Sequence, residues 1–102
     1  MRIAICEDEI KIAEELKDEI VKMSKYISDK EVSVKIFTNS FGLLDYIESN
    51  KVDVIFMDIV LEKENGISLT ADIQEKFKKV KIVFITGYIN NANGLTSNTF
   101  ST

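Results

Sequence analysis

Three runs of consecutive apolar residues set the strongest limit on what this chain can become: Ile3-Ala4-Ile5-Cys6, Val54-Ile55-Phe56-Met57 and Ile82-Val83-Phe84-Ile85. Four apolar residues in a row, without polar alternation, mark a short strand covered on both faces. Each run ends in an oxygen-bearing side chain: Glu7 and Asp8 after the first, Asp58 after the second, Thr86 after the third. In an open parallel sheet such strand ends gather at one edge, where α/β proteins bind ligands. Three acids and a hydroxyl at one edge offer a place for a divalent cation and a phosphoryl group. Asp58 is the hardest of these to read as structural, because a charge that ends a doubly buried strand is costly without a partner.

The segments between the runs read as helices and one further strand. Ile12, Leu16, Ile20, Met23 and Ile27 recur at spacings of four, four, three and four, which predicts an amphipathic helix over residues 9–27. Val32, Val34 and Ile36 alternate with Ser33 and Lys35, as in a strand buried on one side and placed at the sheet edge. Asn39 or Ser40 can cap a short helix carrying Leu43, Leu44 and Ile47. Asn65-Gly66 reads as a turn, with Gly66 as its left-handed residue. Leu69, Ile73 and Phe77 then form the stripe of a third helix. The order βαβαβαβ predicts right-handed crossovers and a doubly wound parallel α/β sheet in the order 2-1-3-4, helices on both faces.

Composition narrows the function classes. The 102 residues fit one domain, and 45% hydrophobic with 29% charged residues describes a globular chain. No apolar stretch approaches the ~20 residues of a membrane span, and Met1-Arg2-Ile3 runs straight into a strand, without a secretory signal. The single Cys6 lies inside an apolar run and reads as core; together these predict a reducing, cytoplasmic setting. Without histidine and with one cysteine, a zinc site is excluded, so any metal is a hard, oxygen-bound ion such as Mg2+. A net charge of -4 argues against a nucleic-acid surface; the one basic cluster, Lys76, Lys78, Lys79 and Lys81, reads as a solvated helix end.

Residues 89–102 break the rhythm. They carry no charge, four Asn, three Thr and two Ser, and read as a linker-like or non-native tail after a domain at residues 1–88. Asn93-Gly94 offers a tight turn that would fold this tail into a hairpin, although alternation is weak on both sides.

Four segments carry a family resemblance: Ile3-Ala4-Ile5-Cys6-Glu7-Asp8-Glu9, Val52-Asp53-Val54-Ile55-Phe56-Met57-Asp58-Ile59, Asn65-Gly66-Ile67 and Val83-Phe84-Ile85-Thr86-Gly87-Tyr88. In this order and spacing they resemble the receiver (CheY-like) domain of two-component response regulators, with wording similar to receivers that precede LytTR-type DNA-binding domains. The resemblance covers residues 1–88 and implies a flavodoxin-like fold. It also implies that Asp58 accepts a phosphoryl group from a sensor histidine kinase. Asp8 would hold Mg2+ directly, Glu7 through water and Val60 through its carbonyl, with Asp58 completing the site; Thr86 would hydrogen-bond a phosphoryl oxygen. Such a chain modifies itself and turns over no substrate. Family receivers continue with a fifth βα unit and a Lys-Pro pair, whereas these 102 residues contain no Pro and no Lys after Lys81. The expectation is therefore a receiver truncated after its fourth strand.

Taken singly, Asp8 is a good N-cap and Thr86 an ordinary strand former; the case rests on their order. Three carboxylates this close repel one another, so without a cation at least one should titrate high. Two other readings stay in view. A Mg2+-dependent phosphatase with an Asp nucleophile wants a second acid two positions on, where this chain has Val60. Alternatively, a truncated chain is a signalling-inactive association module. Its fourth strand, residues 81–85, would be an apolar edge guarded only by Lys81, which predicts self-association through that edge or, as the alternative, residues 89–102 folded back beside it.

Overall fold

A computed structural model describes residues 1–27, 31–61, 65–90 and 94–101. The elements are β1 (Arg2–Cys6), α1 (Ile10–Ile27), β2 (Ser33–Phe37), α2 (Ser40–Ser49), β3 (Val54–Asp58), α3 (Gly66–Lys76), β4 (Lys81–Asn90) and β5 (Gly94–Ser101). The three apolar runs become β1, β3 and the first half of β4, and the sheet order is β2-β1-β3-β4-β5. The first four strands are parallel, in the expected order, with the alternating β2 at the edge.

The core lies mainly on one face of this sheet. Ala4, Cys6, Ile55, Met57 and Ile82 point into it and are met by Leu43 and Ile47 of α2 and by Leu69 and Ile73 of α3. Cys6 is fully buried, as a core residue. Side chains alternate along a strand, so Ile3 and Ile5 face the other way. There α1 packs on β1 and β2. Ile12, Leu16 and Ile20 are only half-buried and Met23 is 57% exposed, because among the described residues α1 alone covers this face. Over β3 and β4 the same face leaves Val54, Phe56 and Val83 half-buried.

Two helices start where side chains cap them. Asn39 Oδ1 accepts the Gly42 N–H at 2.9 Å and opens α2. Asn65 Oδ1 accepts the Ile67 and Ser68 N–H groups at 2.8 and 3.4 Å and opens α3. Asn65-Gly66 is thus a helix start rather than a turn.

The tail takes the alternative course and folds back beside the fourth strand. β4 does not stop near residue 86 but runs through Asn90, so the boundary expected at residue 88 falls within a strand. β5 pairs antiparallel with it from Val83↔Ser101 to Asn90↔Gly94. The predicted Asn93-Gly94 turn involves Asn93, outside the described residues. The edge expected to be open at residues 81–85 is therefore occupied from Val83 onward. The physical reason is that an unpaired strand edge is satisfied by any backbone able to extend beside it. Thr96 and Thr99, β-branched residues, permit that conformation without apolar alternation.

Candidate functional site

Strand register brings the acids together. Cys6 pairs with Met57, so Glu7 and Asp58 continue side by side from β1 and β3. Glu7 is anchored by its own backbone, its N–H donating to the Phe37 carbonyl at 3.0 Å. Asp58 pairs with Ile85 of β4, and the next amide, Ile59 N–H, donates to the Ile85 carbonyl at 3.0 Å. Asp8 follows Glu7 in the short connection to α1 and is half-buried. One carboxylate oxygen from each of Glu7, Asp8 and Asp58 can be chosen so that all lie within 4.8 Å of one another.

These groups are largely out of water: Glu7 is 2% and Asp58 6% exposed. Desolvation pushes the Glu7 carboxyl up to about 9, and hydrogen bonds with Asp58 and Asp8 add to the rise. Burial also raises Asp58, while hydrogen bonds from Glu7 and from the Val60 N–H oppose it. The consistent picture is a shared proton: Glu7 stays protonated and donates to Asp58. The Val60 N–H donates to Asp58 Oδ1 at 3.1 Å, and the Glu9 N–H reaches Glu7 Oε2 at 3.3 Å. As expected for crowded acids, at least one group titrates high.

The sequence missed the part played by Gly66. Its N–H donates to the Ile59 carbonyl at 2.9 Å, and a Cβ built on it would lie 1.9 Å from the Asp58 carbonyl oxygen. Its backbone is not in the left-handed region, so close approach, not a turn, requires glycine here. A bridge between Val60 and Asn65 closes the same loop, and the buried Thr70 hydroxyl donates to the Gly66 carbonyl at 2.7 Å. The start of α3 is thereby clamped beneath the end of β3. An Asn-Gly pair after an acid-terminated strand was the available signal; its meaning needed the fold.

The other expected residues are placed only in part. Val60 is 76% exposed, with its N–H engaged by Asp58. Thr86 follows the β4 partner of Asp58 and pairs with Asn98 through the backbone. The donor set fits a hard divalent cation: all oxygens, convergent, and holding one proton that a cation would displace.

Residues 3–97 match the response regulator receiver domain family. The chain is 34% identical over 92 residues to the transcriptional regulatory protein YpdB of Escherichia coli K12, covering 90% of this chain and 36% of that one. It is 30% identical over 86 residues to the transcriptional regulatory protein DltR of Streptococcus agalactiae, covering 84% and 35%. The chain thus spans about a third of the curated relatives it matches. Among solved structures, response regulator protein TrrA from Thermotoga maritima, in complex with Mg(2+)-BeF, superposes with a TM-score of 0.72. The identity there is 26%, over 85% of this chain and 70% of that one.

Proposed function

Since the chain belongs to the response regulator receiver domain family, we propose that Asp58 is its phosphoacceptor and that Glu7, Asp8, Asp58 and the Val60 carbonyl hold Mg2+. The observation that carries this reading is the convergence of three carboxylates on the end of β3. When bound, the cation supplies positive charge against the incoming phosphoryl oxygens. The Val60 N–H fixes Asp58 Oδ1, leaving the other oxygen to attack phosphorus. The P–O bond to Asp58 forms as the P–N bond of a kinase phosphohistidine breaks, its electron pair remaining on the imidazole. Glu7 must yield its proton for the cation to enter, and the Gly66 clamp keeps the attacking carboxylate from retreating. The Thr86 hydroxyl serves as donor to a phosphoryl oxygen in this reading.

The partner is a sensor histidine kinase, the setting cytoplasmic, and the chain a phosphoacceptor rather than a turnover enzyme. No helix among the described residues is long and apolar enough to cross a membrane. Self-association was expected through residues 81–85; with β5 lying along that edge from Val83 onward, the arrangement favours the folded-back tail over a partner strand there. Light scattering of the chain at micromolar concentration checks this: a monomer is expected, and a dimer would restore self-association. Incubation with acetyl phosphate and Mg2+, read by mass spectrometry, tests the central assignment. One added phosphoryl mass, lost in Asp58→Asn, is expected; persistence of the label in that variant refutes it.

A further inference from the structure

At the opposite end of the sheet from the carboxylates, the loops entering β3 and β4 enclose a groove of about 470 Å³. The backbone joins these loops: the Asp53 N–H donates to the Arg2 carbonyl at 2.8 Å, and the Lys81 N–H to the Asp53 carbonyl at 3.0 Å. The walls are apolar, from Ile47 of α2, Ile73 of α3 and the loop residues Val52, Phe77 and Val80. The two helices are bridged beside the groove by the ion pair of Lys76 with Glu48. The exposed Lys51, Lys78 and Lys79 stand around it as well. Lys76 is neutralised by its partner, and Asp53, whose Oδ2 accepts the Arg2 N–H at 2.8 Å, sets one negative charge against the three lysines. The surroundings are therefore positive although the chain as a whole carries -4.

Lysines at helix C-termini complement the helix dipole, and that alone explains their presence on the surface. It does not explain an apolar groove between them. That volume lies in the range of small-molecule sites, and an apolar lining with a few charges at the mouth is their usual composition. We propose that this groove binds a small organic anion with an apolar body, an aromatic or medium-chain carboxylate whose head meets Lys51, Lys78 and Lys79. The site is independent of the phosphoacceptor assignment and shares no residue with it.

The test is a titration of the 15N-labelled full chain with 2-naphthoate and, separately, with octanoate, followed by amide chemical shifts. The expected result is weak, saturable binding, with dissociation constants of about 0.1–1 mM. Shifts are expected at residues 51–53 and 78–81 and not at Glu7, Asp8 or Asp58. The tighter of the two ligands identifies the body as ring or chain. Neutral 2-naphthamide and a Lys78→Glu, Lys79→Glu variant should each weaken binding by about fivefold or more. Both lysines are exposed, so the variant keeps the fold, which its own amide spectrum verifies. Absence of shifts up to about 10 mM of both acids overturns the proposal. So does an amide that binds as well as the acid, or a charge-reversed variant that binds unchanged.

Discussion

The two ends of this one sheet handle charge in opposite ways. At the C-terminal end of the strands, Glu7, Asp8 and Asp58 converge, and two of them are buried and pushed up in pKa. At the N-terminal end, lysines lie in the open beside helix C-termini, where the dipole favours them, and Lys76 meets Glu48. One end is arranged at the expense of stability, the other in its favour. The difference teaches where to look for chemistry: buried like charges, raised in pKa, mark the end of the sheet to search first.

The largest effect is expected at the acidic end. Gly66→Ala would drive a Cβ into the Asp58 carbonyl oxygen, which is backbone and cannot swing away. The loss should be about 3 kcal/mol or more by urea unfolding. Gly42→Ala is the control: its Cβ would lie 3.1 Å from Phe37 Cδ1, a ring atom that can shift, within a helix that prefers alanine. That change should stay within about 0.5 kcal/mol of neutral. Equal losses would show that the clamp under Asp58 is nothing special.

Next comes protonation. Glu7 rises from 4.5 to about 9, so the folded state holds a proton that the unfolded chain releases. Stability of the metal-free chain is therefore fullest below about pH 4.5 as far as Glu7 is concerned, and falls as pH rises from there toward 9. The raised Asp58 contributes in the same direction. Glu7→Gln keeps a donor for Asp58 without the charge. It should stabilise the metal-free chain by ~2 kcal/mol at pH 8 and flatten the profile, seen in chemical denaturation across that range. A variant no more stable than the parent at pH 8 would contradict the shared proton.

At the other end the expected effect is small. Glu48 and Lys76 are both more than half exposed, so Glu48→Gln should cost no more than about 0.5 kcal/mol in thermal unfolding. A larger loss would mean that the basic end is as finely arranged as the acidic one.

Much of this was legible in the residues. The apolar runs announced three strands covered on both faces, two of them central, because burial on both faces leaves no room for polar alternation. Alternation in residues 32–36 placed β2 at the edge for the complementary reason. The acids at the strand ends followed from register alone. Gly66 was misread because a sequence shows that glycine is present, not whether φ or proximity demands it. β5 was legible only as an alternative, a hairpin at Asn93-Gly94, because nothing in Leu95-Thr96-Ser97-Asn98-Thr99-Phe100 carries a periodic signal. Its pairing answers the open backbone of β4, which is a property of the sheet rather than of the tail.

The claim that the acidic end is a cation site held at a cost is tested most directly by thermal unfolding at pH 8 with and without Mg2+. A cation that binds only the folded site should stabilise the parent chain by ~1.4 kcal/mol at tenfold excess over its dissociation constant. Most of that gain should vanish in Asp8→Asn. A melting temperature indifferent to millimolar Mg2+, or an equal gain in parent and variant, would contradict the account.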